Sequence, residues 1–172
     1  MWCFVRQFQT LIVGGVGFLG VMATLAFNAW LARRQHHRTV AHEQSVVRSA
    51  LRTELESLAE AYRDRIATLS EPEQRHGGAN LSLDAMTGIY RSMVSRIGLL
   101  TASQVRAVLR AYLLAEQLPE RLKFLADDFT KPEPGYVYIP SRNFVHAAQM
   151  HRNYLEDIDL AIAALSDGGQ AQ

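Results

Sequence analysis

Leu11 to Leu31, LIVGGVGFLGVMATLAFNAWL, is an apolar run broken only by Thr24, Asn28 and four glycines. As a helix at ~1.5 Å per residue it reaches roughly 30 Å, the thickness of a bilayer's hydrocarbon core. The rest of the chain is polar and patterned for helices, so this run constrains the whole molecule more than any other segment. It predicts a short tail and one transmembrane helix over residues 1–32, with the lipid bilayer as partner. A signal peptide has an apolar core of roughly 7–15 residues followed by a small-x-small site. Here the core is longer and the best such site, Thr24-Leu25-Ala26, lies inside it, so the segment reads as uncleaved. Arg6 precedes the run, whereas Arg33, Arg34 and Arg38 come after it. That bias predicts a single pass through the cell inner membrane with the bulk of the chain in the cytoplasm. The same three arginines are placed to touch anionic lipid headgroups.

At 100° per residue, Thr10, Gly14, Gly17, Gly20, Thr24 and Asn28 share one face of that helix. Small residues on one face let two membrane helices approach closely, and Asn28 can hydrogen-bond across the contact. The expectation is therefore helix packing and self-association through Gly14, Gly17, Gly20, Thr24 and Asn28. Gly15-x-Gly17-x-x-Gly20 also matches a dinucleotide-binding fingerprint. Val21 to Leu31 is apolar on all faces, however, and no acidic residue ends a second strand about 20 residues on. The nucleotide reading is set aside.

Beyond the run, about 140 residues suffice for one compact core. Eighteen basic and seventeen acidic residues leave a net charge of +1, which gives no general attraction to nucleic acid. The single cysteine, Cys3, excludes an intramolecular disulfide. No glycine or proline occurs between Gly20 and Pro72, so one helix is predicted to continue through residues 33–70. On it Val47, Leu51, Leu55, Leu58, Tyr62, Ile66 and Leu69 recur at spacings of four and three, close to the natural helix repeat. They form a packing stripe, read as the spine on which later helices fold. Arg52 and Glu56 make an i,i+4 pair on another face. His36, His37 and His42 lack the i,i+3 or i,i+4 spacing that metal ligation from one helix face needs, so they read as a solvated flank.

Residues 71–166 are predicted to complete an antiparallel helical bundle, making the chain all-α, with a flexible tail at 167–172. Glu73-x-x-His76 has the spacing of half a di-iron site but no second copy. Ser82 is placed to cap a helix carrying Leu83, Met86, Ile89, Tyr90, Met93, Val94 and Ile97 on one face, ended by Gly98. Thr101-x-x-Gln104 is a capping box for the next helix, with Val105, Val108, Leu109, Tyr112 and Leu113 inward. Pro119 is expected to end or kink it, with a further helical piece from Glu120 to Phe129.

Between Leu81 and Leu118 the pair IYRSMVSRIGLL and TASQVRAVLRAYLL, with Tyr90, Gly98 and Tyr112, resembles a pattern in uncharacterised bacterial single-pass membrane proteins. In those a short amino tail and one membrane helix precede a long charged helix. The resemblance implies that architecture and no activity.

TKPEPGYVYIP, residues 130–140, carries three prolines and a glycine and reads as an irregular loop in which Tyr136 to Ile139 run extended. Tyr136 and Tyr138 there are candidates for partner contact, because aromatic side chains carry much interface energy. Ser141 caps a last helix with Phe144, Ala148, His151, Leu155, Ile158, Ile162 and Leu165 as a heptad seam. His151 on that seam has two readings, a pH sensor and, the favoured one, an edge histidine satisfied by water; Glu156, Asp157 and Asp159 read as a solvated face.

A nucleophile with its base, paired acids, a metal set and a phosphate loop were each sought, and none has the required spacing. The expectation is a membrane-anchored helical scaffold or adaptor acting through a protein partner or a homo-oligomer. No catalytic residue, cofactor, metal or small-molecule substrate is assigned. Two alternatives stand beside it. One is a signal-relay subunit using the long helix. The other is an enzyme whose site is assembled from His151, Glu156, Asp157 and Tyr136.

Overall fold

The computed structural model describes residues 2–70, 77–126 and 133–167, with side chains from residue 18 onward. The chain divides into two compact units, Met1–Glu43 and Gln44–Gln172. One helix, α1, runs over Trp2–Ser70, as the absence of helix-breaking residues between Gly20 and Pro72 requires.

In the first unit Phe18, Leu19, Val21, Met22, Leu25, Phe27 and Trp30 are each more than half exposed. Among the described residues no helix is long and apolar enough to cross a membrane. This corrects the expected transmembrane helix and, with it, the single-pass inner-membrane placement. From Phe18 the described part of α1 leads through Leu31 into Arg33, Arg34 and Arg38, and a cation held at the centre of the hydrocarbon costs about 2.5–3.5 kcal/mol.

The second unit is built on the rest of α1. Val47, Leu51, Leu55, Leu58, Tyr62 and Leu69 are all buried, and Ile66 is half-buried, so the stripe is the spine of the core. The other helices are α2 (Gly88–Met93), α3 (Ala102–Lys123) and α4 (Phe144–Asp167). Short 3-10 turns at Val94–Leu99 and Ser141–Asn143 continue α2 and lead into α4. Thr101 and Gln104 form the capping box at the start of α3, each side chain bonding the other's backbone N–H. α3 runs through Pro119 to Lys123, so the expected break at the proline does not occur.

The fold is not all-α. β1 (Gly78–Ser82) pairs antiparallel with β2 (Tyr136–Pro140), in a register running from Gly78 opposite Pro140 to Ser82 opposite Tyr136. Bonds from the Leu83 N–H to the Gly135 carbonyl (2.8 Å) and from the Ser141 N–H to the Gly77 carbonyl (3.1 Å) extend the ladder at both ends. Ala79, Leu81, Val137 and Ile139 alternate inward and join the core, which rewards extended backbone at both segments. Ser82 thus ends a strand instead of starting a helix. Its hydroxyl accepts the Asp84 N–H at 3.2 Å, and helix resumes only at Gly88.

Two inward assignments also fail. Leu109 and Leu113 are 42% and 58% exposed, while Val108, Ala111, Tyr112 and Ala115 of α3 are buried. On α4 the buried face takes Ala147, Tyr154 and Ala161 along with Phe144, Ala148, His151, Ile158 and Leu165; Leu155 and Ile162 only flank it.

Candidate functional site

Of the expected helix-packing face, Gly20, Thr24 and Asn28 have described surroundings. Gly14 and Gly17 lie within α1 but outside the residues whose side chains are described. A Cβ placed on Gly20 would meet nothing within 4 Å. The Thr24 hydroxyl is spent on its own helix, donating to the Gly20 carbonyl at 2.8 Å. Asn28 is exposed, as are Arg33, Arg34 and Arg38. Arg34 covers the Trp30 ring at 5.3 Å, and Phe27 stands 5.9 Å from the same ring. The first unit therefore presents apolar and aromatic side chains bordered by guanidinium groups.

In the second unit the densest polar arrangement centres on Glu54, which is 8% exposed. Its position, three residues after Leu51 and four before Leu58, puts a carboxylate on the buried stripe of α1. Oε1 accepts the Ile89 N–H at 2.6 Å; Oε2 accepts the Tyr90 N–H at 2.8 Å and the Tyr112 hydroxyl at 2.6 Å. α2 has no side-chain cap from its own N-cap residue, Thr87, so Glu54 supplies it from another helix. Tyr90 and Tyr112 stack with ring centroids 4.1 Å apart and planes 11° apart. Burial, reinforced by the Glu54 carboxylate, pushes the Tyr112 hydroxyl far above the usual tyrosine range. With three donors on its two oxygens, Glu54 binds α1, α2 and α3 together.

Beside it opens a cleft of about 470 Å³ whose walls include Asp84, Met86, Thr87, Arg91, Glu116 and Pro119. Arg91 and Glu116 pair across it at 3.1 Å, and the Thr87 hydroxyl reaches the same carboxylate oxygen at 3.5 Å. Met86 sits in the left-handed region at φ +49°, held by its N–H bonding Asp84 Oδ1 at 2.9 Å.

Tyr136 is 44% exposed and Tyr138 half-buried, on β2 opposite Ser82 and Asn80. The Tyr138 ring lies over Gly78, so close that a Cβ there would stand 2.5 Å from it. His151 is fully buried, not at an edge. Asp157 pairs with Arg110 at 2.8 Å and Asp159 with Arg63 at 2.7 Å, so both acids bind neighbouring helices. His151, Glu156, Asp157 and Tyr136 line neither this cleft nor the smaller one between the ends of α1 and α4. Among the described residues no group of three or more His, Cys, Asp or Glu is arranged to hold a metal ion. Glu73-x-x-His76 lies outside the described residues. The sequence reading did not single out Glu54; its position among the buried residues of the stripe was the available signal.

No family model matches the chain, and no curated protein or solved structure matches it.

Proposed function

We propose that the chain is a non-catalytic helical scaffold or adaptor that works by protein–protein contact, with a second copy of itself as the occupant of the Phe18–Leu31 stretch. The observation that carries this is the exposure of that stretch: six residues from Phe18 to Phe27 are 51% to 67% exposed. Monomeric proteins rarely leave contiguous apolar patches larger than a few hundred Å² uncovered. Their exposure favours a partner that is itself apolar there, and an identical helix has that surface by construction. The arginines next along the helix give the contact a polar rim, as interfaces commonly have.

Sedimentation of the full chain tests the reading, comparing it with Leu19→Glu and Phe27→Glu. Both side chains are exposed, so neither change disturbs a packed core. The unaltered chain is expected to sediment as a dimer or larger at micromolar concentration, and each variant as a monomer. A monomeric unaltered chain, or one taken up by phosphatidylcholine vesicles instead of pairing, overturns the reading.

A further inference from the structure

His151 has no exposed surface. Its ring stands edge-on to Tyr62 of α1, with centroids 5.2 Å apart and planes at 78°. Nδ1 lies 2.8 Å from the Ala147 carbonyl, one turn back on α4. A carbonyl only accepts, so the proton of the neutral ring sits on Nδ1 and Nε2 is a bare lone pair. Nε2 is buried without a hydrogen-bond partner. The charge acting on the ring from α1 is the Arg65 cation, whose guanidinium also lies 5.8 Å from the Tyr62 ring centre. Tyr154, one turn along α4, has its hydroxyl buried and unpartnered beneath Arg121 of α3, which stands 5.7 Å from its ring. Among the described residues, none of the groups that act on the imidazole is a carboxylate.

We propose that His151 is an acid-operated latch between α4 and α1: neutral, it seats α4 against Tyr62, and protonated, it is driven out so that α4 comes away from α1. A second proton must land on Nε2, where no acceptor waits and Arg65 already supplies positive charge. A buried charge without a partner is among the least tolerated groups in a core. Solvation of the imidazolium therefore requires water to enter between the two helices.

Burial pulls the His151 pKa down from 6.5 to about 4; the Ala147 carbonyl opposes this and Arg65 adds to it. The sign comes from linkage. Above the unfolded value of about 6.5 neither state binds the proton and stability is whole. As pH falls toward 4 the unfolded chain takes the proton and the folded one does not, so stability drains away until the folded pKa is passed. Between about pH 7 and 4.5 this residue alone raises the unfolding constant on the order of 50–100-fold.

The test is urea unfolding of the full chain at both pH values, with hydrogen exchange read at the α4 amides. On acidification the unfolding constant of the unaltered chain is expected to rise on the order of 50–100-fold more than that of His151→Phe or His151→Gln. Its α4 amides open first. Arg65→Gln, which removes the repelling cation but keeps the histidine, shrinks the acid loss, an effect that a purely space-filling histidine would not show. Equal acid loss in the unaltered chain and both His151 variants overturns the proposal. So does a folded-state His151 resonance titrating near 6.5. Should His151→Phe fail to fold, the His151→Gln and Arg65→Gln comparisons decide the matter.

Discussion

The Tyr112 hydroxyl donates to Glu54 Oε2 at 2.6 Å, so α3 is tied to α1 through a carboxylate inside the core. The same carboxylate holds the first turn of α2, which makes one side chain the junction of three helices. Hydrogen bonds to charged groups contribute about 1.5–3 kcal/mol each. Tyr112→Phe keeps the stack on Tyr90 and loses this bond together with the long 3.5 Å contact to the Leu51 carbonyl, so it should cost about that much. Glu54→Ala also strands two backbone donors and should cost about 3 kcal/mol or more. Urea denaturation measures both; a Tyr112→Phe protein within about 0.5 kcal/mol of the unaltered chain would show that the bond is not made.

Exposure separates leucines that the sequence pattern treats alike. Leu51 is 1% exposed and Leu113 58%. Leu51→Ala leaves a cavity against the spine and should destabilise by about 2–5 kcal/mol. Leu113→Ala should stay within about 0.5 kcal/mol, as surface changes do. Equal costs for the pair would mean that α3 is rotated from the position described.

At Gly78 a Cβ would sit 2.5 Å from both the Ile139 carbonyl oxygen and the Tyr138 ring. Gly78→Ala should therefore cost about 1–3 kcal/mol, because backbone on the opposite strand cannot step aside. Tyr138→Ala in the same chain should not restore it. At Gly88 nothing lies within 4 Å of the added carbon, and the residue begins α2. Gly88→Ala should be neutral or stabilise by up to about 1 kcal/mol. Thermal unfolding of the two variants reads the contrast, and a Gly88→Ala cost matching that of Gly78→Ala would contradict the geometry.

Alkali offers a separate test. Burial raises the Tyr62 hydroxyl well above 10, and burial with Glu54 raises Tyr112 further. Folded values above the unfolded one mean stability is whole below pH ~10 and is lost as pH rises beyond it. Tyr62 and Tyr112 should stay un-ionised until the chain unfolds, giving a late cooperative step in absorbance at 295 nm. Tyr62→Phe with Tyr112→Phe should flatten that step. A smooth titration of all six tyrosines near pH ~10 would mean that the core is open to hydroxide.

The parts of the fold that were legible are those set by neighbours in sequence. The α1 stripe comes from spacings of three and four, and the α3 start from Thr101 and Gln104, three residues apart. The stretch from Leu83 to Ile97 misled for a physical reason. Its apolar spacing suits a helix, but Asp84 turns the backbone at Met86 and Glu54, more than thirty residues away, fixes where α2 begins. On α3 the leucines drew attention outward because Ala111 and Ala115, small but fully apolar, take the inner face. Of the candidate surfaces, the apolar run was plain from composition, whereas its exposure was not. The burial of His151 depends on Tyr62, eighty-nine positions earlier, and periodicity along α4 alone does not reveal it.

The pairing of Gly78 with Pro140 and of Ser82 with Tyr136 also has a consequence for synthesis. β1 leaves the ribosome before α2, α3 and all of β2, and it has no strand to pair with until they emerge. At about 5–20 residues per second the intervening chain takes roughly 3–12 s to be made. During that interval Ala79 and Leu81, buried in the finished fold, lack the strand that covers them. The sheet is therefore a late product of synthesis, closed only after both long helices that precede β2 have been made.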